Sequence, residues 1–527
     1  MAHRGENEKV ARAAGIVGLA TMLSRIFGFI RDMVVAAFFG AGIATDAFFV
    51  AFRIPNLLRR LLGEGSLTVA FIPVFTEYLK NKSRESALEL ASIALTLLSI
   101  LLVVVSLAGV LFSPLIVSVM APGFIKNPAQ FDLAVFLTRV MFPYIFFISL
   151  VALCMGILNS LRHFAAPALA PVVLNIAMIL SVLVLHKYFE EPITSLAIGV
   201  VFGGILQLAL QWPFLIKMGA RLKPNFNFHH PGIKKIGLLL LPTLVGSGIY
   251  QINIFIGTIL ASVLPKGSVS FLYYADRVVE LPLGVFAIAV GTASLPSFSA
   301  QVARGLFDEF KRTISFSLRL ILYITVPATV ALIALREPIV SVLFQRGAFD
   351  SHSTLMTAQA LLYYTLGLWA FSVIRVIDSA FFSLQDRKSP LKAAFVSLLV
   401  NVGLSILLMF PLKHGGLALA TSAASAVNVL MLSFILRKKI GIFLDQKFYS
   451  SLGKTFFASA LMGISFYLVD FMYPWNIQAA FETRALFLTI CIATGILVFF
   501  GTSFLLKSDE IVSLLNVIRR KLRPSSP

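Results

Sequence analysis

SRIFGFIRDMVVAAFFGAGIATDAFFVAFRIPNLLRRLLGE, residues 24–64, is apolar enough to enter a bilayer, yet it carries Arg25, Arg31, Asp32, Asp46, Arg53, Arg59, Arg60 and Glu64. A charge at bilayer depth costs about 2.5–3.5 kcal/mol on insertion scales, so its presence there points to function. Five arginines against three acids leave the stretch at +2. The reading that follows is an anionic substrate handled inside the membrane.

The rest of the chain agrees with a membrane setting. Of 527 residues, 58% are hydrophobic and only 13% charged, about half the charged share of a soluble protein. Apolar windows of membrane-spanning length recur from end to end without strand-like alternation, which predicts an all-α polytopic protein and excludes a transmembrane barrel. The first apolar run is long and interrupted by arginines, unlike a cleavable signal peptide. Cys154 and Cys491 both fall in apolar segments, so neither a disulfide framework nor a cysteine metal site is expected.

Fourteen spans are expected, near 12–39, 46–63 (with a continuation toward 79), 88–112, 133–158, 167–186, 194–216, 236–263, 271–299, 314–335, 356–383, 391–411, 416–436, 453–473 and 485–506. The N-terminus, the even-to-odd loops and the C-terminal tail then hold 28 Lys and Arg, against seven in the opposite loops. By the positive-inside rule both termini are cytoplasmic. The same distribution accounts for the net charge of +20 as topology and contact with anionic lipid rather than nucleic-acid binding.

An internal repeat is visible. Arg53 and Arg277 are 224 residues apart, the prolines of Pro73-Val74-Phe75 and Pro296-Ser297-Phe298 are 223 apart, Pro167 and Pro390 are 223 apart, and Asn175 and Asn401 are 226 apart. Two six-helix lobes in parallel repeat are expected, at 1–223 and 224–440. Residues 441–527 add two further helices and a basic tail. A cavity between two such lobes is the usual place for a transported substrate.

Helical phase groups the charges of the hairpin. Arg25 and Asp32 are seven apart, as are Asp46, Arg53 and Arg60, so each set lies on one face. Glu64 is within pairing reach of Arg60, and Gly28 and Pro55 read as breaks that permit bending. In the second lobe FLYYADRVVELP brings Asp276, Arg277 and Glu280, with Arg277 and Glu280 spaced for an intrahelical pair. Arg375 and Asp378 read as a buried pair between helices, Arg139 and Arg319 as packing or interface residues, and His229-His230 as solvated. A guanidinium keeps its proton and matches phosphate bidentately, so arginines from both lobes favour a diphosphate over a neutral drug. No P-loop, HExxH or GxSxG is present, so neither ATP-driven transport nor enzyme chemistry is expected from this chain.

SRIFGFIRD, ATDAFFVAFRIPNLLRRLLGEGSLTVAFIPVF, YYADRVVELPLGVFAIAVGTASLPSFS, LFQRGAF and GLALATSAASAVN together resemble the MurJ (MviN) lipid II flippases of the MOP exporter superfamily, in order and over essentially the whole chain. The resemblance implies 14 helices, two lobes around a cationic cavity, and a final helix pair forming a groove for the lipid tail. It implies transfer of lipid II, the undecaprenyl-pyrophosphate-linked peptidoglycan precursor, to the outer leaflet of the bacterial inner membrane. It carries substrate-binding roles onto Arg25, Arg31, Arg59 and Arg277, and supporting cavity charges onto Asp46, Arg53, Glu64 and Arg346. Members that bind sodium use carboxylates on the seventh and eleventh helices; here those positions hold Gly257 and Ser405. Asn401 and Thr421 remain as the candidate ligands of a monovalent cation, and a Na⁺ site is not expected. No cofactor is expected, and coupling to the membrane potential is. The expected partners are lipid II, membrane lipids and other cell-wall synthesis proteins, with the chain a monomer. The alternatives are a flippase for another polyprenyl-diphosphate-linked polysaccharide precursor, or a multidrug exporter of the same superfamily.

Overall fold

The computed structural model describes residues 2–58 and 67–511, and the side chains of most of them; Arg59, Arg60 and Glu64 lie outside the described residues. Among the described residues every regular element is helical. The helices are α1 (Ala2–Phe39), α2 (Ile43–Leu58), α3 (Leu67–Asn81), α4 (Arg84–Leu111), α5 (Ser113–Met120), α6 (Pro128–Met141), α7 (Tyr144–Ser160), α8 (Ala165–Leu185), α9 (Thr194–Lys217) and α10 (Pro231–Ser262). They continue as α11 (Ser268–Pro282), α12 (Ile288–Ala303), α13 (Phe307–Ala334), α14 (Arg336–Phe344), α15 (Ser351–Thr365), α16 (Leu368–Ser383), α17 (Lys388–Leu412), α18 (His414–Ile440), α19 (Gln446–Met472) and α20 (Phe481–Leu505).

Thirteen of the expected spans fall on one helix or on a broken pair; the second, 46–63, begins on α2 and its residues 59–63 lie outside the described residues. Nine helical segments among the described residues are long and apolar enough to cross a membrane, or ten if α15 and α16, bent by 42° at their junction, form one span. That criterion does not reach the fourteen expected. The expected spans that it leaves out fall on α1, on α2 with α3, on α10 and on α11–α12. α1 carries the charges of its two ends, and α11 is joined to α12 by a π-helical turn at Leu283–Ala287 that follows Pro282.

Local chemistry sets the boundaries. The Ser83 hydroxyl caps α4 by accepting from the Ser86 N–H, and the Asp350 and Asp445 carboxylates do the same for α15 and α19. Pro143 separates α6 from α7 because proline cannot donate into the ladder. α1, in contrast, runs as one continuous helix through Gly28, which reads from sequence as a break. Pro55 lies inside α2, which is helical on both sides of it.

The chain divides into two compact units, residues 1–270 with 346–349, and residues 271–345 with 350–527. In the first, α1 packs on α8, α8 on α9, α7 on α3, α4 and α9, and α10 on α3. Its core gathers Phe71, Phe75, Leu90, Leu153, Cys154 and Ile157. In the second, α12, α13 and α16 surround Phe298, Phe310, Ile377 and Phe381, and α19 and α20 pack on α13 around Phe466, Phe487 and Cys491. Exposure separates central from peripheral helices. The apolar window of α6–α7 is 72% buried and that of α17 only 17%.

Candidate functional site

In the first unit the charges of α1 sort by their partners. The Arg31 guanidinium donates to Asp32 Oδ1 through Nε (3.0 Å) and Nη2 (2.7 Å), and through Nη1 to Asn175 Oδ1 on α8 (3.0 Å). The Asn175 amide in turn donates to the Ser24 carbonyl at 3.2 Å. Asp32 is 2% exposed, so its carboxylate depends on Arg31 for compensation. Arg25 is exposed and makes no hydrogen bond or ion pair among the described residues. Asp32 thus pairs with its sequence neighbour Arg31, whose Nη1 also reaches Asn175 on α8.

Asp46 is likewise committed. Its Oδ1 accepts from the Ser270 N–H (2.8 Å) and hydroxyl (2.6 Å), and its Oδ2 from the Gly267 N–H (2.6 Å). A carboxylate at the otherwise unsatisfied N–H groups that open α11 is a cap with a helix-dipole contribution. The structure therefore gives Asp46 a capping place in addition to the cavity role expected of it. Arg53 is half-buried on α2.

Arg346 lies in the segment that closes on the end of α1. The Ala348 N–H donates to the Ala37 carbonyl at 2.8 Å. Gly347 (φ 56°) and Gly40 (φ 65°) make that approach possible, since a Cβ on either would come within 2.2 and 2.4 Å of a backbone oxygen. Arg346 is half-buried there.

In the second unit Arg277 donates from Nη1 to Glu280 Oε2 at 2.6 Å, and its guanidinium lies 4.8 Å from the centre of the Tyr273 ring. The intrahelical pair expected from spacing is formed, and the arginine side chain keeps 27% of its surface exposed. The buried pair expected of Arg375 and Asp378 is not formed. Arg375 is exposed, and neither side chain makes an ion pair among the described residues. Their i, i+3 spacing permitted the contact, and the arginine turns outward instead.

Around Asn401 the oxygens are neutral and engaged. Ser405 donates to Asn401 Oδ1 at 3.4 Å, and Thr421 donates to its own helix at Leu417 O, 2.9 Å. α10, α17 and α18 contain no carboxylate, and no group of three His, Cys, Asp or Glu that could hold a metal occurs among the described residues. These oxygens are neutral, whereas hard cations are usually held with the help of carboxylates.

Two partnerships escaped sequence reasoning. Asn175, visible only as a repeat landmark, ties α8 to Arg31. Arg484, counted among external loop charges, is 8% exposed and donates to the Ser341 hydroxyl (2.7 Å) and the Gln345 carbonyl (3.4 Å) at the end of α14.

A helical membrane protein with arginines set into its apolar helices is the class that the fold defines. Solved structures of the MOP superfamily share its fold. An inward-facing multidrug resistance MATE family transporter aligns with a TM-score of 0.62 at 16% identity, covering 82% of this chain and 98% of that one. A structure described as lipid II flippase MurJ in an inward closed conformation aligns with a TM-score of 0.81 at 31% identity, covering 94% and 99%. The family model "Lipid II flippase MurJ" matches residues 35–506. Curated relatives include the probable lipid II flippases MurJ of Buchnera aphidicola (38% identical, 88% of this chain and 90% of that one) and Vibrio cholerae (36%, 93% and 95%). The chain belongs to the lipid II flippase MurJ family.

Proposed function

We propose that this protein carries lipid II from the inner to the outer leaflet of the bacterial cytoplasmic membrane by alternating access, supplying precursor for peptidoglycan synthesis. The match to the family across residues 35–506 carries the reading. Arg25, exposed and without an ion pair among the described residues, supports it, because it can offer donors to a diphosphate, and Arg277 is partly exposed. Arg25, Arg31, Arg59 and Arg277 bind the diphosphate, with Asp46, Arg53, Glu64 and Arg346 as supporting charges. The last two helices hold the polyprenyl tail. The termini are cytoplasmic, the lobes 1–223 and 224–440 are repeats, and the protein acts as a transporter without catalytic chemistry. The membrane potential acts on the net charge moved, at about 2.3 kcal/mol per charge per 100 mV, so a cytoplasm-negative potential favours outward transfer of the anion.

The test is lipid II exposure at the outer leaflet in cells depleted of the protein and complemented with variants. Depletion is expected to abolish exposure, and Arg25→Ala or Arg277→Ala to restore less than a tenth of it at normal protein level. Unchanged exposure on depletion would transfer the assignment to a polysaccharide precursor.

A further inference from the structure

We infer that the loop joining α9 to α10, residues 218–230, is an interfacial membrane anchor: Phe226 and Phe228 enter the acyl boundary of the leaflet while Arg221 and Lys223 meet the phosphates of anionic phospholipid. The loop does not hang free in solvent. The Arg84 guanidinium on the first turn of α4 donates to the Met218 carbonyl. From there the chain runs along α4, with the Lys223 N–H donating to Ser92 Oγ (3.3 Å) and the Asn225 N–H to Thr96 Oγ1 (2.9 Å). Glu89 is the last charged residue of α4. Ser92 and Thr96 therefore lie about 4.5 and 10 Å further into the apolar part of that helix, at 1.5 Å per residue. That is the depth at which interfacial segments bury their apolar side chains.

The side chains at this depth are suited to it. Phe226 is 68% exposed and Phe228 36%, their rings set edge to face at 6.0 Å. Leu222 turns the other way and packs against the core of the unit. Part of the loop backbone is satisfied internally, as an irregular segment approaching hydrocarbon requires. Besides Lys223 and Asn225, the N–H groups of Asn227, Phe228 and His230 donate to Asn225 Oδ1, Phe226 O and Asn227 O, and Pro224 has no N–H to satisfy. Exposed Arg221 and Lys223 precede the aromatic pair and Lys234 and Lys235 follow it, the flanking charge that anionic headgroups attract.

Cys154 and Cys491 are both buried, so a nitroxide on Phe226→Cys or Phe228→Cys reports its own site. The full-length protein is placed in phosphatidylcholine vesicles with and without phosphatidylglycerol, with Glu85→Cys as the label on the water side. At 226 and 228, collisions with oxygen are expected to exceed those with a water-soluble nickel complex several-fold, and the reverse at 85. Phosphatidylglycerol is expected to deepen both labels, and the double variant Arg221→Ala/Lys223→Ala to lose that deepening. Nickel-accessible labels at both 226 and 228 would overturn the anchor, and immersion indifferent to phosphatidylglycerol would overturn the role given to Arg221 and Lys223. The proposal rests on the proposed topology only for which leaflet is entered. Immersion is read without transport, so its failure leaves the lipid II assignment standing, and loss of that assignment leaves the immersion result standing.

Discussion

Arg25 and Arg31 stand six residues apart on one helix, and their surroundings predict different consequences of losing them. Arg25 has no ion pair among the described residues, so Arg25→Ala is expected to remove transport and leave the melting temperature unchanged. Arg31 compensates Asp32, which is 2% exposed, and holds Asn175. Removing one partner of such a pair costs roughly 3–5 kcal/mol. Arg31→Ala should lower the melting temperature of the purified protein as well as transport. Asp32→Asn in the same chain should recover the stability and not the transport, a double-mutant comparison that separates folding from cargo binding. Equal melting temperatures for Arg31→Ala and the native protein would show that the pair is dispensable to folding. Charge at bilayer depth marked Arg25 and Arg31, and the family resemblance carried binding roles onto them and onto Arg277. Helical spacing left Arg31's partners open, because i, i+1 neighbours normally diverge on a helix and the bond to Asn175, 144 residues away, is visible only in the fold.

At the scale of elements, the glycines of the first unit divide by what surrounds them. Gly28 lies within a continuous helix where a Cβ would stand 3.5 Å from the Asn175 amide nitrogen, an ordinary contact. Gly28→Ala should therefore be tolerated or slightly stabilising, as replacing a helical glycine usually is. Gly347 has φ 56°, and a Cβ there would come 2.2 Å from the Ala37 carbonyl oxygen. The left-handed backbone alone costs a non-glycine residue roughly 1–2 kcal/mol, and the overlap would push the 346–349 segment off the end of α1. Gly347→Ala should expose that segment to protease at a rate several-fold above native, while Gly28→Ala leaves it unchanged. Sequence pointed to Gly28 and not to Gly347; only φ and the distance to Ala37 single out Gly347 as the glycine that allows two backbones to meet.

For the molecule as a whole, two loop carboxylates make stability depend on pH. Burial opposes the charge of Asp386, but the Ser389 hydroxyl and N–H and the Lys439 ammonium outweigh it and hold the carboxyl well below the usual carboxylate range. Burial likewise opposes Asp445, outweighed by the Ser315 hydroxyl, the Phe448 N–H and the charge of Arg319. A carboxyl lowered on folding stabilises the folded state above its unfolded value, about 3.9, and loses that contribution as pH falls toward its folded value. The melting temperature should stay level from pH 7 to about pH 5 and fall below about pH 4. Asp386→Asn should be less stable at pH 7 and show a shallower acid fall; an unchanged profile would remove Asp386 from this account.

Composition, apolar periodicity and the placement of charge determined that this chain is a polytopic helical membrane protein, and its motifs identified the family, because the bilayer demands long apolar helices and leaves few ways to write them. Which arginines stand presented and which are tied down was decided by the tertiary structure. Pairing depends on side chains that meet across helices: Asn175 on α8 reaching Arg31, Ser270 and Gly267 enclosing Asp46, Ser341 receiving Arg484. Arg375 and Asp378 make the same point in reverse, close in sequence and unpaired in space. The opening stretch, residues 24–64, announces its charges in one dimension. Their division into a presented Arg25, a braced Arg31 and a capping Asp46 exists only in three, since a helix fixes which residues share a face and the neighbouring helices fix what each face meets.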